Sequence, residues 1–107
     1  IASTALVVNP KEPFRNLREL IAYAKKNPDE LAYASPGVGS PGHLAAERLK
    51  LMAGIRMRHV AYQGAPQAVQ DVIGGTVRLA FVNVNVTQSF IENGRLRALG
   101  VTTASRW

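Results

Sequence analysis

Short runs of apolar, often β-branched residues alternate along the chain with longer segments whose apolar positions repeat at helical spacing. The short runs are bounded by Asn, Pro or Gly and predict five β-strands. The longer segments predict four helices, because apolar residues three and four positions apart fall on one helix face. The predicted strands cover residues 4–8, 31–34, 57–62, 78–82 and 97–102, and the predicted helices cover residues 17–26, 41–53, 65–73 and 87–92.

Capping residues mark the ends of the first two predicted helices. Asn16 has the side chain of an N-cap, and the helix is expected to end at Asn27 because a proline follows it. The second helix is expected to begin after Ser40, with Pro41 at its first position, and to end at Gly54. The buried stripe of this second helix is predicted to consist of Leu44, Ala45, Leu49 and Met52.

This alternation predicts an α/β fold, a three-layer α/β/α sandwich with a mostly parallel five-stranded sheet. The 107 residues suffice for one such domain, which we expect to span the whole chain. The composition, 47% hydrophobic and 19% charged, is that of an ordinary globular protein, and the lack of cysteine excludes disulfides and thiolate chemistry. The chain begins at Ile1 rather than at a methionine, and we interpret it as one domain of a larger protein.

The formal net charge of +6 favours anionic partners in general. The cations are spread along the chain, however, and only Arg56 and Arg58 form a same-face strand pair. A nucleic-acid surface would combine a cationic stripe with exposed aromatic residues. The aromatic residues here lie in apolar patterns instead, so nucleic-acid binding is not favoured. The sequence contains no apolar run of the length that a membrane span needs.

The first candidate site is the loop that joins the second strand to the second helix. Gly37 and Gly39 allow the backbone to approach a ligand closely, and Ser35 and Ser40 supply hydroxyl groups. The start of the following helix adds free N–H groups and a positive dipole end, which together favour an anion. The alternative is a tight turn that leads into a capped helix and binds nothing.

The same loop matches the dinucleotide-binding fingerprint G-x-G-x-x-G at residues 37–42. A dinucleotide site also requires an acidic residue about 20 positions further on, at the end of the next strand. That strand ends here at Tyr62 and Gln63, and the chain has no acidic residue between Glu47 and Asp71. We therefore keep a dinucleotide-binding enzyme domain only as the alternative interpretation.

Two further loops follow strands at the same predicted edge of the sheet. Gly64 and Ala65 can offer backbone N–H groups, and Tyr62 or Gln63 could add side-chain hydrogen bonds, although an ordinary turn would look the same. Asn83 ends the fourth strand and could face the same cleft. Asn85, in the same loop, is the candidate N-cap of the short helix that follows.

Catalysis has little support in the sequence, and we predict a protein that is not an enzyme. The seven carboxylates do not form an acid–base pair. His43 and His59 are not spaced as metal ligands, so no metal and no cofactor is expected. We interpret His59 as a packed residue of its strand and His43 as a brace for the glycine loop. Neither Ser35 nor Ser40 lies in a nucleophile elbow.

Six segments of the chain, in order and with matching spacing, resemble the receptors of tripartite tricarboxylate transporters, the Bug family. These segments are residues 17–28 (LRELIAYAKKNP), 31–35 (LAYAS), 37–47 (GVGSPGHLAAE), 59–64 (HVAYQG), 74–79 (GGTVRL) and 94–103 (GRLRALGVTT). The resemblance implies one lobe of a type II periplasmic-binding-protein fold, namely the second domain of a two-domain receptor.

The resemblance also implies a function. Receptors of this kind close two lobes on a small organic acid and present it to membrane permease subunits, and the parent protein is expected to be periplasmic. The first strand would come from the hinge and run antiparallel to the others. By position, the family's ligand-binding loops correspond to Ser35, Gly37, Gly39, Ser40, His43, Gly64, Ala65 and Asn83. The family often has proline, lysine and an acidic residue where this chain has Ala61, Gln63 and Asn83, so the ligand's identity stays open.

Overall fold

The computed structural model describes residues 3–103 of the chain, and side chains up to residue 101. It contains five strands, four α-helices and one 3₁₀ turn in the alternating order that the sequence predicts. The elements are β1 (Ser3–Val8), α1 (Leu17–Lys26), β2 (Ala32–Ser35), α2 (Pro41–Ala53), β3 (Arg58–Ala61), α3 (Ala65–Ile73), β4 (Leu79–Asn83), the 3₁₀ turn (Val84–Val86), α4 (Gln88–Glu92) and β5 (Arg97–Thr103). Strand ends differ from the prediction by at most one residue, and the 3₁₀ turn was not predicted.

The five strands form one mixed sheet in the order β3-β2-β4-β1-β5. Strand β2 runs parallel to both β3 and β4, whereas β1 runs antiparallel to β4 and β5. The expectation of an antiparallel first strand is therefore confirmed. Because β2, β3 and β4 point the same way, the loops that follow them lie at one edge of the sheet, called here the carboxyl edge.

Helices cover both faces of the sheet, as predicted for a three-layer sandwich. Alternate residues of each strand point to opposite faces, so each face acquires its own apolar core. The core under α1 and α2 contains Leu6, Val8, Tyr33, Leu79 and Phe81 from the strands. The core under α3 and α4 contains Ala5, Val7, Ala34, Ala80 and Val82.

The packed face of α2 differs from the prediction. Its buried residues are Gly42, Ala46 and Leu49, whereas the predicted stripe members Leu44 and Met52 are each 62% exposed. The reason is the close approach of the helix to the sheet. A Cβ atom on Gly42 would lie 2.0 Å from the carbonyl oxygen of Phe81, so only small residues fit at this contact.

The opposite edge of the sheet is closed by the loop between β1 and α1. Phe14 lies in this loop with only 1% of its surface exposed. Its ring meets the ring of Tyr23 edge-on at 5.5 Å, and the guanidinium of Arg78 lies 5.7 Å from its centroid. Arg97 Nη1 donates to the Phe14 carbonyl oxygen at 3.2 Å. Among the helices of residues 3–103, none is long and apolar enough to cross a membrane.

Candidate functional site at the carboxyl edge

A cavity of about 110 Å³ lies at the carboxyl edge, where α2 begins. Two predicted site residues from different loops, Ser40 and Asn83, line it together. The other lining residues are Ser3, Thr4, Pro36, Pro41 and Gly42. The parallel strands β2 and β4 bring these two loops together, and the antiparallel β1 adds its first residues because Thr4 pairs with Asn83.

The glycine loop that leads into α2 is held by its own hydrogen bonds. Ser40 donates to the Gly37 carbonyl oxygen from its backbone nitrogen at 3.2 Å and from its hydroxyl at 2.7 Å. The same hydroxyl accepts the N–H of His43 at 3.2 Å, which makes Ser40 the N-cap of α2 as predicted. Gly39 has a φ of 83°, a conformation that favours glycine.

Several N–H groups that the sequence offered to a ligand are already engaged inside this loop. The Gly37 N–H donates to the Ser35 hydroxyl at 3.2 Å, and the Gly39 N–H donates to His43 Nδ1 at 3.0 Å. The interpretation of His43 as a brace for the loop is thereby confirmed. Gly42 occupies the second helical position, where a backbone N–H has no acceptor within the helix. Gly42 lines the cavity and is a candidate donor that the sequence analysis did not select.

The loop after β3 lies beside the glycine loop but not at the cavity wall. A Cβ atom on Gly37 would lie 3.5 Å from the Tyr62 carbonyl oxygen, so the two loops are neighbours. The hydroxyl of Tyr62 donates to Asp71 Oδ2 on α3 at 2.6 Å. Burial and this carboxylate together raise the pKa of Tyr62 to about 12. Gly64 and Ala65 begin α3 at the same edge of the sheet and do not line the cavity.

The loop after β4 corrects one prediction. Asn85 does not cap the short helix α4, whose N-cap is Thr87. Instead, Asn85 donates its backbone N–H to Asn83 Oδ1 at 2.8 Å. Asn83 therefore caps the 3₁₀ turn while it lines the cavity, and its carbonyl-type oxygen is held in place by that bond.

Behind the glycine loop lies a polar cluster that the sequence analysis did not assemble. The rings of His43 and His59 stack with centroids 4.0 Å apart and planes 5° apart. His59 also stacks on Tyr33 at 5.0 Å, and its Nε2 lies 2.6 Å from the Ser35 hydroxyl. His59 is thus packed, as expected, but it is also hydrogen-bonded to a predicted site residue. Predicting this hydrogen bond would have required the parallel register that pairs Tyr33 with His59.

Burial and the charged groups on α2 together set the ionisation of this cluster. The Tyr33 hydroxyl donates to Glu47 Oε2 at 2.5 Å, and Lys50 Nζ lies 3.0 Å from the same oxygen. Burial and this carboxylate raise the pKa of Tyr33 far above its ordinary value. Burial would raise the pKa of Glu47, but the Tyr33 and Lys50 hydrogen bonds outweigh it and hold that pKa below its ordinary value. Burial first, and then His43, lower the pKa of His59.

The lowered pKa of His59 predicts a loss of stability in mild acid. Because the unfolded chain binds a proton at this histidine more readily, the stabilisation is fully present above its ordinary pKa of 6.5. It is lost as the pH falls through the lower pKa of the folded state. Urea midpoints of the wild type, measured across this range, should decrease as the pH falls. His59→Gln should remove this part of the dependence, while the part due to Glu47 persists below about pH 4.5. An unchanged pH profile in His59→Gln would contradict the assignment.

Within residues 3–103, no group of three or more His, Cys, Asp or Glu side chains could hold a metal ion.

A larger but shallow groove of about 340 Å³ lies along α1 and the loop before it, lined in part by Phe14 and Tyr23. That groove is at the opposite edge of the sheet from the loops described above. The carboxyl edge is the candidate site because two predicted site residues from different loops, Ser40 and Asn83, meet at its cavity.

The sheet order, the antiparallel first strand and the cavity at the carboxyl edge define one lobe of a periplasmic-binding-protein fold. Over residues 1–107, the chain matches the tripartite tricarboxylate transporter family receptor, TctC. The chain belongs to this family, which consists of solute-binding receptors rather than enzymes. The dinucleotide-binding alternative gains no support from these matches.

Individual relatives agree with this assignment. The chain is 37% identical over 103 residues to the UPF0065 protein of the tcbD-tcbE intergenic region of Pseudomonas sp. strain P51, covering 96% of this chain and 31% of that protein. The structure of Rpa4515 of R. palustris with adipate is 36% identical, with a TM-score of 0.91 over 99% of this chain and 36% of that one. Periplasmic binding protein BugD is 28% identical, with a TM-score of 0.88 over 98% and 35%. The chain thus spans about a third of the length of the relatives it matches.

Proposed function

We propose that this chain is the second lobe of a two-lobed, non-enzymatic receptor that binds a small organic acid, a di- or tricarboxylate, outside the cytoplasm. The observation that carries the proposal is the cavity at the start of α2, lined by Ser40 and Asn83, in a member of a receptor family. A carboxylate in this cavity would meet the positive end of the helix dipole and the N–H of Gly42. The adipate in the structure of Rpa4515 supports an acid of this size.

The geometry of the first and last strands supports closure of two lobes. Ser3 at the start of β1 pairs with Thr103 at the end of β5. Because Thr4 also pairs with Asn83, both of these strand ends lie at the carboxyl edge, beside the cavity. Two neighbouring connections to a second lobe, placed at the mouth of a site, would form a hinge about which that lobe could close. In such a receptor, the closed and liganded form would be presented to the permease subunits of the membrane transporter.

One lobe offers only half of a closed cleft, and 110 Å³ is small for a ligand site. We therefore expect the isolated chain to bind adipate with a Kd near 1 mM or weaker, about −4 kcal/mol. Amide-resolved NMR titrations with adipate, malate and citrate should shift Ser40, Gly42, His43 and Asn83. Shifts with NAD and none with the acids would favour the dinucleotide alternative, and micromolar affinity of the isolated chain would contradict the half-cleft.

A charge placed in the cavity tests the site directly. Ser40→Asp keeps a side-chain oxygen that can accept the His43 N–H at the start of α2 but adds a negative charge beside the expected carboxylate. We expect the adipate Kd to rise by at least about fivefold through like-charge repulsion. Asn85→Asp is the matched control, because it adds the same charge on an exposed side chain outside the cavity wall. Equal losses in both variants would mean that overall charge, and not this cavity, governs binding.

A further inference from the structure

The two histidines of the chain hold the two halves of the glycine loop. The Gly39 N–H donates to His43 Nδ1 at 3.0 Å. On the other side, His59 Nε2 lies 2.6 Å from the Ser35 hydroxyl, which in turn lies 3.2 Å from both the nitrogen and the carbonyl oxygen of Gly37. The rings themselves are in parallel contact at 4.0 Å. The stacked pair therefore links residues on both sides of the loop tip to β2, β3 and α2.

This arrangement depends on the protonation state of the rings. A nitrogen that accepts a hydrogen bond carries no proton, so His43 must be neutral, with its proton on Nε2. An imidazolium has donors at both nitrogens and cannot accept the Gly39 N–H. Two protonated rings at 4.0 Å would in addition repel each other.

We propose that His43 and His59 are positioning residues, which hold the glycine loop in its binding conformation only while the His43 ring is neutral. The inference rests on the proposed function, since the loop leads into the cavity wall at Ser40. Its consequence is that affinity for a carboxylate falls as the pH drops and a proton on His43 Nδ1 displaces the Gly39 N–H. Attraction between a histidine cation and an anionic ligand would give the opposite trend.

Burial and, on balance, the neighbouring charged groups favour the neutral state of His59. From α2, Lys50 disfavours a proton on His59 and Glu47 favours one, but the Glu47 carboxylate is shared with the Tyr33 hydroxyl and with Lys50 itself. From β2, Tyr33 stacks on His59 as an uncharged phenol. Arg58, the neighbour of His59 on β3, points to the opposite face of the sheet. Burial and the neighbouring His43 lower the pKa of His59 accordingly.

The brace can be tested without any ligand. Ring and amide nitrogen shifts of the full chain would be followed by NMR between about pH 8 and pH 5, the range in which histidine titrates. We expect the Gly39 amide to shift and to lose hydrogen-exchange protection with the same midpoint as the His43 ring. A His43 ring that titrates while the Gly39 amide stays unchanged would overturn the proposal. This measurement stands whether or not the chain binds carboxylates.

Matched substitutions then connect the brace to binding. The Asn side chain can place an acceptor near the Nδ1 position and Gln can reach the Nε2 position, so His43→Asn and His59→Gln imitate the bonds seen here. His43→Gln and His59→Asn do not. We expect His43→Gln and His59→Asn each to raise the adipate Kd at about pH 8 by at least about fivefold, the effect of one lost hydrogen bond. In His43→Asn and His59→Gln, the loss of binding free energy should be at most half as large.

The pH profile separates positioning from mere packing. Adipate itself gains a proton in mild acid, so the wild type is compared with His43→Asn, which faces the same ligand but carries no titratable ring at this position. Between about pH 8 and pH 5.5 the wild type should lose at least about threefold more affinity than His43→Asn. Parallel profiles, or stronger wild-type binding in acid, would overturn the proposal. Failure of the wild type to bind any of the acids would instead count against the proposed function alone.

Discussion

Gly42→Ala is expected to lower the free energy of unfolding by about 3 kcal/mol or more, the upper range for overpacked sites. The added Cβ would lie 2.0 Å from the Phe81 carbonyl oxygen and 2.9 Å from the Phe81 carbonyl carbon. Both are backbone atoms of the central strand β4, so they cannot rotate away as a side chain would. The gain in helix propensity from Gly to Ala, about 1 kcal/mol, offsets only part of this cost. Helix α2 must therefore move away from the sheet.

Urea denaturation with an unchanged m-value measures this effect directly. The control is Gly74→Ala, at a glycine with φ of −78° where the nearest atom to an added Cβ is 3.4 Å away. That variant should be neutral or slightly more stable, because alanine restricts the unfolded chain. A loss below about 1 kcal/mol in Gly42→Ala would mean that α2 can shift easily, contrary to the close contact described here.

Phe14→Ala is expected to cost about 3–5 kcal/mol, as for other fully buried phenylalanines. The substitution removes the edge contact with Tyr23 and the surface over which the Arg78 guanidinium lies. Phe14 also lies in the loop that closes the far edge of the sheet, so the cavity left behind would open towards solvent. Chemical denaturation of the purified chain would measure the loss.

Phe14→Leu is the matched variant for this site, because it keeps most of the apolar volume and should lose less than half as much stability. In folded Phe14→Ala, the amide shifts of Ser40 and Asn83 should match those of the wild type, since the carboxyl edge lies at the other end of the strands. Large shifts there would show that the two edges are coupled through the sheet. A cost near zero would contradict the burial of the ring.

The helix ends could be predicted because local chemistry determines them. Asn16 and Ser40 cap α1 and α2 with their side chains, and Gly54 ends α2 in the left-handed conformation. None of these interactions requires knowledge of the tertiary structure. The 3₁₀ turn Val84–Val86 could not be predicted in the same way, since three residues provide no hydrophobic period.

The packed face of α2 was predicted correctly at Leu49 but wrongly at Leu44 and Met52, because large apolar residues were taken as the sign of burial. At the closest approach of helix and sheet the opposite holds, and Gly42 and Ala46 fit where leucine cannot. The resulting exposure of Leu44 and Leu51, 62% and 85%, follows from the same contact. A sequence pattern alone does not report how close two elements lie.

Only part of the candidate site could be predicted from the sequence. Ser40 and Asn83 could be expected to meet, because parallel strands carry their following loops to one edge of a sheet. The stack of His43 on His59 could not, since it needs the register of β2 with β3 and the height of α2 above them. The hydrogen bonds within the glycine loop could not be predicted either. They depend on backbone angles that the residue types of the loop allow but do not require.

The position of β1 in the sheet has a consequence for how the chain acquires its structure. This first strand lies between β4 and β5, both of which belong to the last third of the chain. Pairing across such a sequence separation closes a long loop, and contacts of this kind slow folding. During synthesis, the apolar residues of β1 would therefore stay without their partner strands until β4 and β5 have been made. Pairing of β1 is accordingly a late event in the folding of this domain.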